Sequence, residues 1–110
     1  MTDKIVVVTT CETEKEADRI ASALVENRLA ACVNILPGAT SVYRWKSAVE
    51  RASEIVLLIK TSRALLGRVQ SEIERVHSYE LPEVLALQIV DGSERYLEWL
   101  AEGLAQTRDE

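Results

Sequence analysis

The sequence is poor in the side chains from which most metal and redox centres are built. Its 110 residues contain one histidine, His77, and two cysteines, Cys11 and Cys32, and no phenylalanine. The cysteines show neither a CxxC pair nor a Cys/His zinc spacing. A single histidine excludes a multi-histidine metal centre within one chain, although an oligomer could bring symmetry-related ligands together.

Long hydrophobic runs and an excess of positive charge are also missing. No apolar stretch approaches the roughly 20 residues of a membrane helix, and the first residues, MTDKIVVV, lack the apolar core of a secretory signal. We therefore expect a cytoplasmic protein with reduced thiols and no membrane partner. The formal net charge of −5 argues against a nucleic-acid partner, which requires a surface rich in Lys and Arg.

The remaining composition is that of an ordinary globular chain, with 47% hydrophobic and 28% charged residues. A chain of this length has room for one core, so residues 1–110 are expected to form a single domain. Small domains bury a modest share of their surface, and oligomerisation would add to their stability.

The hydrophobic pattern predicts seven elements in the order β-α-β-β-α-β-α. Residues 5–8 form a short apolar run typical of a strand buried on both faces, and Thr13 followed by Glu16 is a capping box that begins a helix. Residues 31–36 form the second strand, which resumes after a kink at Pro37-Gly38, and a turn near Ser47 makes residues 42–59 a long antiparallel hairpin. Ser62 and Ser93 are the expected N-caps of the later helices, with a strand over residues 84–90 between them.

The first six elements are in the split βαβ order of ferredoxin-like folds. We therefore predict an α+β, ferredoxin-like βαββαβ sandwich with an extra C-terminal helix and a long β2–β3 hairpin. Such a hairpin leaves unpaired strand edges, which favour association with further chains.

Polar residues that could perform chemistry concentrate in the segment HSYELPE, residues 77–83. A histidine can bind a metal or transfer a proton near neutral pH, and Glu80 and Glu83 offer oxygen ligands. The alternative is structural, since a histidine in the last turn of a helix interacts favourably with the helix dipole.

Three further side chains have both a functional and a structural interpretation. Cys11 follows the first strand, where a helix N-terminus can activate a thiol, but most loop cysteines have no role. Cys32 lies within an apolar strand and is expected to be a small buried hydrophobe. Lys60 lies beside a predicted helix start, where it could bind an anion or simply be solvated.

Five sequence blocks in order resemble the CutA family of divalent-cation tolerance proteins. They are residues 29–35 (LAACVNI), residues 41–45 (SVYRW), Glu54 with the strand ending in IKT at 59–61, residues 77–83, and residues 96–100 (YLEWL). The fourth block matches the family signature HPYE-x-PE except that Ser78 replaces its proline. Matches in five blocks are far more specific than any single motif.

The resemblance implies a ferredoxin-like protomer, a tight homotrimer similar to PII-type signalling proteins, and a role in tolerance to divalent cations, copper above all. Some members bind copper through a cysteine at the end of the first strand and two adjacent histidines. Here Thr9 and Val76 stand at two of those positions, and only His77 is retained.

Three functions follow from these residues. In the first, a trimer binds Cu(II) or another divalent cation through His77, assisted by Cys11 or Glu83. In the second, a signalling module holds a small anion or a partner protein in a cleft between subunits, using Lys60, Tyr79, Glu80 and Glu83. In a trimer, whichever function it has, Trp45 near the hairpin tip would contact a neighbouring subunit.

The third function, an acylphosphatase-like enzyme, is disfavoured. The loop after the first strand lacks a glycine-rich phosphate cradle, and Glu12 and Glu14 would repel an anionic substrate. We therefore expect no enzymatic activity.

Overall fold

A computed structural model of the protein describes residues 2–106 as a four-stranded sheet with three helices. The elements, in chain order, are β1 (Lys4–Cys11), α1 (Glu14–Glu26), β2 (Cys32–Trp45), β3 (Ala48–Ser62), α2 (Leu66–Val76), β4 (Leu85–Gln88) and α3 (Glu94–Gly103). The predicted order and the α+β class are confirmed. Within the described residues no helix is both long and apolar enough to cross a membrane.

The sheet has the strand order β2-β3-β1-β4, and every pairing in it is antiparallel. The central pair runs in register from Lys4 opposite Ser62 to Cys11 opposite Ile55. This order is the split βαβ arrangement expected from the sequence. It leaves β2 and β4 as the two outer strands.

One face of the sheet carries the core, and this corrects the expectation that the first strand is buried on both faces. Ile5 and Val7 are fully buried beside Leu57 and Ile59 of β3, whereas Val6 is half-buried. Side chains alternate between the faces of a strand, and the buried set belongs to the same core cluster as α1 and α2 side chains. The opposite face is covered less completely.

The hairpin of β2 and β3 is the longest feature of the molecule. β2 has 14 residues and β3 has 15, and their pairing shifts register between Leu36 and Ala39. Gly38 lies there with φ 89°, which confirms the predicted kink. Lys46 and Ser47 form the turn with positive φ angles of 49° and 72°, a two-residue hairpin geometry that usually selects Asn-Gly.

The helix starts are partly as predicted. The Thr13 side chain accepts a hydrogen bond from the Glu16 N–H at 3.1 Å, and Ser93 accepts one from the Tyr96 N–H at 3.1 Å. Ser62 is the N-cap residue of a 3-10 turn, Arg63–Leu65, that leads directly into α2, but its side chain makes no cap hydrogen bond, so the prediction that it caps α2 itself is wrong. The extra turn satisfies backbone groups before α2 begins at Leu66. The strand predicted over 84–90 is shorter, at Leu85–Gln88.

We expect Thr13→Ala to destabilise the protein by about 1 kcal/mol, because it leaves an N-terminal N–H of α1 without its acceptor. Chemical denaturation at one fixed protein concentration measures this loss. Ser71→Ala, at an exposed position inside α2, is the matched control and should be neutral or slightly stabilising. Equal losses in both variants would contradict the capping role.

Candidate functional site

A cleft lies where the hairpin extends beyond the end of β1. Its volume is about 540 Å³, within the usual size of small-ligand sites, and it faces the segment between α2 and β4, residues 77–84. The lining residues are Thr10, Ser41, Val42, Tyr43, Trp45, Glu54, Tyr79, Glu80, Leu81 and Glu83. Four of the residues singled out from the sequence, Trp45, Tyr79, Glu80 and Glu83, therefore meet in one place.

The charge of the cleft has one sign. Three carboxylates line it and no Lys, Arg or His does, while Tyr43, Trp45 and Tyr79 supply aromatic surface. Carboxylates attract cations, and aromatic faces also attract them. The lining therefore favours a cationic ligand over an anion.

Tyr79 is fixed in the cleft by its hydroxyl group. The hydroxyl donates a hydrogen bond to Glu54 Oε2 at 2.7 Å. Burial, together with the adjacent Glu54 carboxylate, raises the pKa of Tyr79 well above its ordinary value. Tyr79 therefore remains a hydrogen-bond donor at physiological pH and cannot act as a base.

Both nitrogens of the fully buried His77 ring have protein partners. Nε2 lies 2.7 Å from the carbonyl oxygen of Thr10, so Nε2 carries the proton and donates it. Nδ1 accepts a hydrogen bond from the Tyr79 N–H at 3.0 Å. The ring also packs against Tyr79, with 4.6 Å between centroids. No nitrogen lone pair of His77 is left for a metal ion.

Glu16, in the first turn of α1, completes this polar cluster. Its Oε2 accepts a hydrogen bond from the Ser78 N–H at 2.7 Å and lies 3.9 Å from His77 Nδ1. Burial of the carboxylate opposes ionisation, but hydrogen bonds from the Ser78 side chain and backbone outweigh it and lower the pKa of Glu16. Glu16 thus links α1 to the segment that lines the cleft.

Cys11 is a buried thiol rather than a loop side chain. It is fully buried in the core cluster, and its Sγ lies 3.6 Å from the carbonyl oxygen of Thr13. Burial, with the charge of Glu16 adding to it, raises the pKa of Cys11 to about 11. Cys32, expected to be buried, is partly exposed on the outer strand β2.

The three predicted metal ligands, His77, Cys11 and Glu83, do not form a cluster within the described residues. His77 uses both ring nitrogens in hydrogen bonds, and the buried Cys11 Sγ lies beside the carbonyl oxygen of Thr13. Among residues 2–106, no group of three or more His, Cys, Asp or Glu side chains could hold a metal ion. Glu83 is exposed at the cleft.

Lys60, predicted as an anion ligand, lies outside the cleft lining. Its Nζ donates to the Tyr96 hydroxyl at 3.1 Å and lies 5.4 Å from the centroid of that ring. Tyr96 in turn stacks on Trp99, with 5.5 Å between centroids. This lysine therefore belongs to an aromatic cluster on α3.

Three residues of the site, Tyr43, Glu54 and Glu16, were not assigned to it from the sequence. Tyr43 could have been found, because it shares the period-two alternation of Ser41 and Trp45 and so the same strand face. Glu16 was assigned to a capping box, and nothing in the sequence indicates that its carboxylate contacts Ser78, 62 positions away.

Thiol labelling tests the burial of Cys11. At pH 8 and in native conditions, we expect iodoacetamide to modify Cys32 much faster than Cys11, because only a thiolate reacts and the pKa of Cys11 is about 11. Mass spectrometry of Cys32→Ser and Cys11→Ser variants separates the two rates. Raising the pH should speed Cys11 labelling until about pH 11. Rapid native labelling in Cys32→Ser at pH 8 would show that Cys11 is accessible.

Comparison with known proteins places this architecture in a family. The family model described as "CutA1 divalent ion tolerance protein" matches residues 5–103. The "Divalent-cation tolerance protein CutA" of Thermus thermophilus is 46% identical over 97 residues, covering 88% of this chain and 94% of that protein.

Two further comparisons extend this result. The solved structure of a divalent cation tolerance protein (Cut A1) from Thermus thermophilus superposes with a TM-score of 0.91 at 44% identity, covering 93% of this chain and 99% of that one. "Protein CutA, chloroplastic" of Arabidopsis thaliana is 45% identical over 87% of this chain, which spans about half, 53%, of that relative. Its name shows that relatives occur outside the cytoplasm, so the cytoplasmic location of this chain stays a prediction.

The sequence blocks, the fold and these matches agree with one another. This chain therefore belongs to the CutA1 divalent ion tolerance protein family.

Proposed function

We propose that the chain acts in divalent-cation tolerance as a homotrimer whose acidic cleft receives the cation. The observation that carries this proposal is the lining of the cleft, with three carboxylates, three aromatic rings and no basic side chain. Membership of a divalent ion tolerance family supports it from a second direction.

Glu80 and Glu83 are the groups that we propose contact the cation. Both are exposed, whereas the Glu54 carboxylate already accepts the Tyr79 hydroxyl. Oxygen ligands suit hard divalent cations, and Cu(II) leads the divalent metals in intrinsic affinity. Two carboxylates from one chain make an incomplete coordination shell, so we expect weak binding that further ligands from neighbouring subunits strengthen.

The proposed homotrimer is supported by the strand edges and apolar side chains that are exposed in a single chain. The outer strands β2 and β4 each pair on one side only within the described residues. Leu85 and Leu87 of β4 remain 57% and 55% exposed, and Val90 is 68% exposed. Unpaired edges with exposed apolar side chains favour association between chains.

A binding module without a metal role is the second candidate. The aromatic surface of Tyr43 and Trp45, which are 44% and 39% exposed, favours a partner protein, because such rings are common in interfaces. The small anion considered from the sequence is disfavoured, because Lys60 contacts Tyr96 and no positively charged side chain lines the cleft.

Calorimetric titration of chelator-stripped protein with Cu(II) tests the cation proposal. We expect Glu80→Gln and Glu83→Gln each to weaken binding several-fold, because each removes a charged ligand from the cleft. His77→Gln should leave the affinity unchanged if circular dichroism shows an intact fold. Glu26→Gln, at an exposed position on α1, is the matched control.

Loss of Cu(II) binding in His77→Gln alone would instead place the metal at the imidazole. Cys11→Ser, measured in parallel, separates binding from oxidation of the thiol. Binding that none of these variants alters would mean that the cleft is not the cation site, and the partner-protein function would then be preferred.

Light scattering at micromolar concentration tests the assembly. We expect a mass three times the 12.3 kDa of one chain, and Leu87→Glu, which puts a charge on the exposed outer strand, should lower it. Glu98→Gln, at an exposed position on α3, serves as the control. A monomeric wild-type protein would refute the trimer.

A further inference from the structure

The segment that supplies four of the ten residues lining the cleft has no regular structure of its own. Residues 77–84 join α2 to β4 without a helix or a strand, yet Tyr79, Glu80 and Glu83 of this segment line the cleft. A connection of this kind keeps a fixed conformation only if its backbone groups have partners elsewhere. What holds the segment therefore decides where the cleft carboxylates lie.

One contact ties this segment to a helix that is remote in sequence. The Glu16 carboxylate, on a residue only 8% exposed, accepts the Ser78 N–H at 2.7 Å. Hydrogen bonds to a charged acceptor are about twice as strong as neutral ones. At this position of a helix a glutamate usually returns to its own N-cap, so its orientation toward Ser78 is a specific feature of this fold.

We propose that Glu16 is a positioning residue for the cleft: its buried carboxylate fixes the Ser78 backbone and thereby holds Tyr79, Glu80 and Glu83 in place. The residue after Ser78, Tyr79, donates its backbone N–H to His77 Nδ1. The hydroxyl of the same tyrosine donates a hydrogen bond to Glu54. The Glu16–Ser78 contact is observed whatever the function of the cleft. Only its expected effect on ligand binding rests on the proposed function.

The backbone conformation of His77 is compatible with a proline at position 78. His77 has φ −72° and ψ 143°, the extended conformation that a residue preceding proline adopts. Ser78→Pro therefore deletes the N–H and the hydroxyl without a clash at His77. Proline is also the residue that the signature HPYE-x-PE has at this position, so the substitution would normally be judged harmless. The structure predicts the opposite while Glu16 is present.

A double-mutant cycle with amide hydrogen exchange as its readout tests the proposal. We expect Glu16→Ala and Ser78→Pro each to speed exchange of the Tyr79 and Glu80 amides by about tenfold or more, the loss typical of a charge-assisted hydrogen bond. Amides of β1 and β3 should be unaffected. The double variant should exchange no faster than the more affected single one, because both remove the same contact.

Three conservative variants refine the result. Glu16→Gln keeps an acceptor oxygen and should restore part of the protection, and Ser78→Ala keeps the N–H and should have a smaller effect than Ser78→Pro. Glu14→Ala, on an exposed residue of the same helical turn, should match the wild type.

Additive effects on exchange in the double variant would overturn the proposal. Equally faster amide exchange across β1 and β3 would also overturn it, because it indicates a general loss of stability. Cu(II) titration of the same variants separates this inference from the proposed function. A loosened segment with unchanged Cu(II) affinity would support the positioning role of Glu16 and contradict the cleft as the cation site. An unchanged segment would refute the positioning role whatever the affinity.

Discussion

The pairing of β1 with β3 is the constraint on which the rest of the molecule depends. It is eight residues long, and the point where it stops, at Cys11 opposite Ile55, divides the hairpin into a part within the sheet and a part beyond it. The cleft forms at this division, and the carbonyl oxygen of Thr10, one residue before the end of the strand, accepts a hydrogen bond from His77 Nε2–H. A β1 strand that ended elsewhere would leave both the cleft and the imidazole without their partners.

The polar residues around the end of β1 have a structural role, because their reactive groups contact other parts of the protein. His77 uses both nitrogens in hydrogen bonds, the Cys11 thiol is protonated because its pKa is raised, and Tyr79 is held as a donor by Glu54. These three side chains, which would be more reactive in a solvent-exposed loop, are therefore buried or hydrogen-bonded to neighbouring residues. The exposed carboxylates of Glu80 and Glu83 are the charged groups of the cleft that face solvent.

The order of elements was predictable because strands and helices differ in hydrophobic period, and the kink at Gly38 and the turn near Ser47 mark the hairpin. The partial exposure of Val6 was not predictable, because an apolar run alone does not show which face the helices cover. The site residues in segment 77–83 were found as a cluster, but their roles were not. The Nε2 atom of His77 is occupied by the Thr10 carbonyl, and the carboxylate of Glu16 is occupied by the Ser78 N–H. Both contacts join residues more than 60 positions apart, so no local sequence pattern indicates them.

The hairpin also has a consequence for the order of folding. Its strands are joined by the two-residue turn at Lys46 and Ser47, so Trp45 meets Ala48 three positions away, whereas Lys4 must find Ser62 across nearly 60 positions of chain. Loop closure is slower and more costly in entropy over longer separations. The ribbon of β2 and β3 is therefore expected to form first and to serve as the template on which β1, and after it the much later β4, align. In such a sequence of events the cleft is completed last, when the chain between α2 and β4 is finally drawn against α1.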